Sequence, residues 1–220
     1  MNVDPSLWGS YAGTFADWEE EGVTLPKPYY ERDGITLYWG DCRRILPLLD
    51  LVDFCFDDPP YVGADWSGLF PLLRVAAQRL VVTPGASNLA TWLRQADPAW
   101  TYCWISNADS RGGAACMNIG WEPVVAFDLP LRPLGTDVLR YPIGTQVGVG
   151  DHPHPKPLGL ITKIVAHWTR EGEVILDPHL GSGTTALAAK TLGRGCIGIE
   201  QEKRYLETTV KRLAQEVMPL

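Results

Sequence analysis

The sequence predicts an α/β fold: a mostly parallel sheet of about seven strands with helices on both faces. Three observations carry this expectation. From Ile35 onward, short apolar runs alternate with helical stripes, and one such run meets a helix through a glycine-rich turn around Gly181. The third is size: 220 residues with 45% hydrophobic content suffice for one packed core but not for two of ordinary size.

Residues 1–34 read as an aromatic, acidic extension, in which Trp8, Tyr11, Phe15 and Trp18 are spaced as one face of a short helix packed on the domain. The domain then spans residues 35–220. Ile35–Trp39 is a strand, a helix follows near Arg43–Leu49, and Val52–Phe56 is a second strand. Leu69, Leu72, Leu73, Ala76 and Leu80 share one face, which predicts a helix over Gly68–Arg79. Leu80–Thr83 is a strand stopped by Pro84-Gly85, Asn88–Gln95 a helix, and Trp100–Ile105 and Pro123–Asp128 two more strands. Residues 106–151 are rich in Gly and Pro and, outside that last strand, lack sustained periodicity, so they read as a variable insertion facing the substrate. Leu158, Ile161, Ile164, Val165 and Trp168 mark a helix over Pro157–Arg170. Strand Val174–Leu176, helix Thr184–Leu192, strand Cys196–Ile199 and a last helix from Glu202, with Leu206, Val210, Leu213 and Val217 on one side, complete the alternation.

Composition narrows the function classes. The five cysteines are odd in number and scattered, so they read as reduced thiols of a cytoplasmic protein. With no Cys-x-x-Cys pair and no zinc-ligand spacing among the four histidines, no metal is expected. No targeting segment and no run of membrane-spanning length is visible, so a soluble, non-exported protein without membrane partners is expected. The net charge of −7 argues against tight nonspecific binding to nucleic acid. Most of that charge lies in residues 1–34, where seven acids face only Lys27 and Arg32.

Two constellations carry chemistry. The first is Asp57-Asp58-Pro59-Pro60-Tyr61, an acidic turn closing an apolar strand. Two prolines fix φ and remove two N–H groups, so the Pro59 carbonyl can turn outward beside the Asp58 carboxylate. Two acceptors and the Tyr61 face then suit a flat amino group, such as that of a nucleobase, whose hydrogens they hold while its nitrogen attacks. The second is Asp177-Pro178-His179-Leu180-Gly181-Ser182-Gly183-Thr184-Thr185, which follows a strand and opens a helix. Its glycines admit close backbone approach to a ligand, and Glu200, ending the next strand, stands where an acid grips ribose hydroxyls. The same spacing fits a dinucleotide-binding fold, whereas a P-loop is excluded because no Gly-Lys-Ser/Thr follows.

His152-Pro153-His154-Pro155-Lys156-Pro157 is similar to the His-Pro-x-x-Lys-Pro element of amino-group DNA methyltransferases, and Ile35–Cys42 resembles the segment whose aspartate faces the cofactor's adenine. With the Asp-Pro-Pro-Tyr turn placed before the glycine loop, the motif order resembles the circularly permuted beta class. The resemblance implies a Rossmann-like methyltransferase fold and S-adenosyl-L-methionine as cofactor. By position it puts Asp41 and Cys42 at the adenine, Glu200 at the ribose, and Asp177, Pro178, His179, Gly181, Ser182, Gly183 and Thr184 around the methionine and sugar, with Lys156 and Pro157 lining the same pocket. His179 departs from the family's phenylalanine and is expected to fill its space. The catalytic set is Asp58, Pro59, Pro60 and Tyr61.

The implied reaction is methylation of adenine N6 in duplex DNA by in-line displacement, as in a restriction-modification methyltransferase. None of the cysteines follows a proline, which disfavours attack on cytosine carbon. Cytosine N4 is the alternative target, and a silent DNA-binding module or a nicotinamide-dependent oxidoreductase are the alternatives of other classes. Trp66 and Trp104 are candidates for a second stacking residue. The short insertion implies relaxed specificity or a second subunit, hence a homodimer on double-stranded DNA. The lead-in to Asp41 resembles phage-encoded members.

Overall fold

The computed structural model describes residues 24–60, 68–111, 118–142 and 155–215. The helix expected over Trp8–Trp18 lies outside these residues. The elements are β1 (Tyr30–Arg32), β2 (Ile35–Trp39), α1 (Cys42–Ile45) with a 3-10 turn Leu46–Leu48, β3 (Val52–Asp57), α2 (Leu69–Ala76) and β4 (Ala77–Val82). There follow α3 (Leu89–Leu93), β5 (Trp100–Arg111), β6 (Asn118–Ala126), β7 (Val138–Arg140), α4 (Leu158–Trp168), β8 (Val174–Asp177), α5 (Thr184–Thr191), β9 (Gly195–Glu200) and α6 (Lys203–Ala214).

One nine-stranded sheet runs β1-β2-β9-β8-β3-β4-β6-β5-β7. Strands β2, β9, β8, β3 and β4 are mutually parallel, while β1 and β6 run antiparallel to their neighbours. Alternate residues of the central strands feed two cores. Phe54, Phe56, Leu37 and Ile175 pack under α4, α5 and α6, whereas Tyr38, Cys55, Leu80, Val82 and Leu176 pack under α1, α2 and α3. Helices therefore cover both faces, as a parallel sheet of continuous apolar strands requires.

The strand count of about seven is corrected to nine. The first addition is β1, paired to β2 through Asp33-Gly34, both at positive φ (52° and 76°), a hairpin turn of the kind that Asp-Gly favours. It draws residues 30–32 of the expected extension into the sheet. The second is β7, a three-residue strand parallel to β5 and too short to show a period. The helix expected over Gly68–Arg79 ends at Ala76, and Ala77–Arg79 belong to β4. Leu80 continued the helical spacing by coincidence, since it also faces a core from the strand. Residues 106–151 hold more regular structure than their composition implied: β5 continues to Arg111, β6 starts at Asn118, and the pairing breaks register between Ile105 and Ser110.

Candidate active site

The C-terminal ends of the five parallel strands stand side by side, and each carries a polar residue. Asp41 follows β2, Glu200 ends β9, Asp177 ends β8, Asp57 ends β3 with Asp58 next, and Thr83 follows β4. From β3 the chain returns to the sheet at β4 on one side, and from β8 it returns at β9 on the other. The crevice between the ends of β3 and β8 is thus the switch point at which open α/β sheets take ligands.

Asp58 is held at both carboxylate oxygens. Thr83 Oγ1 donates to Oδ1 at 2.7 Å, and Lys156 Nζ donates to Oδ2 at 2.7 Å. Lys156 precedes α4, is almost fully buried, and lies 5.8 Å from the ring centre of Trp104. Pro157, also buried, caps α4. Pro59 is buried and Pro60 exposed. Tyr61, Trp66 and His152–His154 lie outside the described residues. Trp104, a candidate for stacking on a substrate, is instead a core residue with 1% exposure whose Nε1 donates to the Tyr141 carbonyl at 2.7 Å.

Beneath the crevice lies a charged cluster. Asp57 is fully buried; its Oδ1 is 2.7 Å from His179 Nδ1, and its Oδ2 has no hydrogen-bond partner among the described residues. His179 Nε2 lies 3.5 Å from Cys42 Sγ. Beyond the space-filling expected of His179, both of its ring nitrogens meet polar partners. Burial alone would depress the imidazole, but the Asp57 carboxylate beside it pushes its pKa well above the ordinary value. Asp177, also buried, is pushed up to about 7, mainly by burial and against a hydrogen bond from Thr185. Its Oδ1 accepts the His179 N–H at 3.1 Å across the buried Pro178.

The glycine loop is gripped from two sides. The Glu200 carboxylate accepts the Gly181 N–H at 2.8 Å and the Glu202 N–H at 2.7 Å, tying the loop to the start of α6. Gly183, at φ +79°, caps α5 where a Cβ would come within 2.3–2.8 Å of the Thr209 side chain. Thr209 donates to the Gly181 carbonyl at 3.3 Å. Arg212 Nη1 donates to the Ser182 carbonyl at 2.5 Å and reaches the Ser182 and Thr184 hydroxyls, each at 3.3 Å. Asp41 caps α1 by accepting the Arg43 N–H at 2.9 Å and pairs with the Arg43 guanidinium at 2.6 Å. Among the described residues, no three His, Cys, Asp or Glu side chains form a metal-binding group.

Thr83, Thr209 and Arg212 are residues of the site that sequence reasoning misses, and Asp57, which the sequence places in the acidic turn, gains its His179 partner only in the fold. Thr83 had a signal, as a polar residue at the C-terminal end of an apolar strand. Thr209 had another, since it interrupts the apolar face between Leu206 and Leu213.

A cofactor-type glycine loop on β8, beside an acidic Pro-Pro turn on β3 and under a doubly covered sheet, defines a Rossmann-like methyltransferase. Residues 94–211 match the DNA methylase family of N6/N4 methyltransferases, and the chain belongs to that family. The Type II methyltransferase M2.LlaDCHI of Lactococcus lactis subsp. cremoris is 26% identical over 90% of this chain and 96% of its own. The Type II methyltransferase M2.DpnII of Streptococcus pneumoniae is 52% identical over 67 residues, 30% of this chain and 25% of its own. Among solved structures, the M1.HpyAVI–SAM complex superposes with a TM-score of 0.65 at 25% identity, covering 81% of this chain and 99% of that one. The cytosine-N4-specific PvuII DNA methyltransferase shares the fold, with a TM-score of 0.76 at 14% identity over 89% and 92% of the two chains.

Proposed function

We propose that this chain methylates the N6 amino group of adenine in duplex DNA, with S-adenosyl-L-methionine as methyl donor and Asp58 as the acceptor that holds the target amino group. The observation carrying this reading is Asp58 itself, fixed at both oxygens yet still partly exposed at the lip of the switch-point crevice. The donor set suits the cofactor. Asp41, Glu200 and Asp177 offer acids to a cationic ligand bearing hydroxyl and amino groups, and the unpartnered buried Asp57 Oδ2 adds negative potential beneath them.

When bound, the cofactor supplies a methyl group activated on a sulfonium. Asp58 and the Pro59 carbonyl accept the two amino hydrogens of a base turned out of the duplex, and Tyr61 stacks on its ring. Forming the N–C bond as the methyl–sulfur bond breaks would leave the nitrogen cationic; the Asp58 carboxylate would stabilise that charge until the nitrogen gives up one of its hydrogens as a proton to solvent. The loop from Gly181 to Thr184 orients the cofactor, with Lys156 and Pro157 closing the wall beside it. Target recognition is assigned to the insertion of residues 106–151, and a second copy of the chain completes the hold on the duplex.

The test is incubation of wild type and Asp58→Ala with cofactor and unmethylated duplex, then digestion to nucleosides and mass spectrometry. Methyladenine from wild type and none from Asp58→Ala is expected. Methylcytosine would keep the chemistry and replace the base. No methylated nucleoside from a protein that binds the cofactor would sink the reading.

A further inference from the structure

We propose that Thr83 is a positioning residue for methyl transfer: its buried hydroxyl, acting against the Lys156 ammonium, holds the Asp58 carboxylate in the one rotation that faces the target amino group. This rests on the reading of Asp58 given above.

Thr83 is set by the backbone before its side chain acts. Its N–H donates to the Asp57 carbonyl at 2.9 Å, which carries the β3–β4 ladder one step past Val82 and places Thr83 beside Asp58. Pro84 and Gly85, the latter at φ 72°, then turn the chain away. A β-branched side chain has few χ1 choices, and this one has no solvent exposure, so its hydroxyl is delivered to a fixed point. That point is 2.7 Å from Asp58 Oδ1. An O–H bond to a carboxylate is charge-assisted and stronger than a neutral one.

A carboxylate held at one oxygen still turns about its last torsion, which is broad and soft. Asp58 is held at both, by donors on different elements: Thr83 after β4 and Lys156 before α4. A carboxylate oxygen can accept two hydrogen bonds, so neither grip by itself stops Asp58 accepting a substrate hydrogen. The grip fixes where that lone pair points. Misplacing a reacting group by about 1 Å can cost about a hundredfold in rate, so such a grip belongs to the rate and not to ground-state affinity. Thr83 lies outside the glycine loop and outside the Asp-Pro-Pro-Tyr turn; its N–H bonds the Asp57 carbonyl and its hydroxyl bonds Asp58.

The experiment compares wild type, Thr83→Val, Thr83→Ser and Asp58→Ala, measuring kcat and KM on duplex DNA, cofactor affinity by calorimetry, and thermal unfolding. Thr83→Val keeps the shape and removes the donor. It is expected to lower kcat about ten- to hundredfold with cofactor affinity unchanged, and Thr83→Ser, which keeps the hydroxyl, to recover to within about threefold of wild type. If Thr83→Val fails to fold, Thr83→Ala is read in its place against the same Thr83→Ser control. Wild-type kcat in the hydroxyl-free variant, or equal losses in it and Thr83→Ser, would overturn the positioning role while leaving Asp58 in place. Activity retained by Asp58→Ala would instead remove the reading of Asp58, and this inference with it.

Discussion

Asp57 and His179 stand or fall together. A fully buried carboxylate is costly unless paired, and here the imidazole at 2.7 Å supplies the partner. His179→Phe, which restores the family's usual residue, should therefore destabilise the protein by about 3 kcal/mol, because it strands a buried charge. Adding Asp57→Ala to it should recover most of that loss, so denaturant unfolding of the two single variants and the double should be strongly non-additive. Additive losses would mean that the pair is not coupled. Asp177 gives a second prediction. Its pKa, about 7 in the fold against an ordinary 3.8, means that the folded state holds a proton the unfolded chain has released between those values. The contribution of Asp177 to stability accordingly falls as pH rises from about 4 to about 7 and is flat above. Asp177→Asn should match wild type near pH 4 and exceed it by about 2–4 kcal/mol at pH 8, while binding the cofactor more weakly. An equal gain at both pH values would remove burial of the charge as the cause. At this scale the sequence disclosed the residue types but not their partners. Asp58 and the loop glycines could be picked out from the sequence pattern and Lys156 from the resemblance of its motif, whereas Asp57, read there as part of the acidic turn, becomes a charge pair only when β8 is laid beside β3.

The glycine loop is an element made by its neighbours. Glu200 holds it from β9, while Thr209 and Arg212 hold it from α6, so that helix serves as the floor of the site. Gly183→Ala places a methyl group within 2.3–2.8 Å of Thr209 at a left-handed φ. A loss of about 2–4 kcal/mol is expected, together with loss of cofactor binding. Adding Thr209→Ala relieves the clash but not the backbone strain, and calorimetry on the double variant should show only partial recovery. Full recovery would assign the whole effect to sterics. Arg212→Met should weaken cofactor binding about tenfold, by leaving the Ser182 carbonyl without its donor. Elements with a clean period were legible: β2 matches its expected bounds, and α4, α5 and β9 fall within a residue or two. The misses have physical causes. At α2–β4 an apolar strand follows a helix with no breaker between them, so a period of 3.6 runs on into one of 2. In β5 and β6 the outer halves are paired by backbone bonds across a register break, and Gly and Pro in the sequence conceal a ladder that side-chain pattern does not report.

For the molecule as a whole, the question is how a chain of net charge −7 handles a polyanion. Duplex affinity comes largely from phosphate neutralisation, so an acidic protein must keep its negative charge away from the groove it uses. The charge is unevenly distributed. Residues 1–23 hold Asp4, Asp17, Glu19, Glu20 and Glu21 and no Lys or Arg, so their removal takes the net charge from −7 to −2. The crevice acids, by contrast, are committed to partners: Asp58 to Lys156, Asp57 to His179, and Asp41 to Arg43. The repulsion that DNA meets should then come mainly from the first 23 residues. A variant starting at residue 24 is expected to raise kcat/KM on duplex DNA about threefold at low salt, through KM and not kcat. Because the effect is long-range it should fade as the Debye length shrinks from about 30 Å at 0.01 M to about 8 Å at 0.15 M salt. A salt titration of kcat/KM for the two proteins is the measurement. Curves that converge with salt would make this segment an electrostatic brake on DNA association. A truncated protein slower at every salt concentration would show that these residues contribute contacts that outweigh their charge.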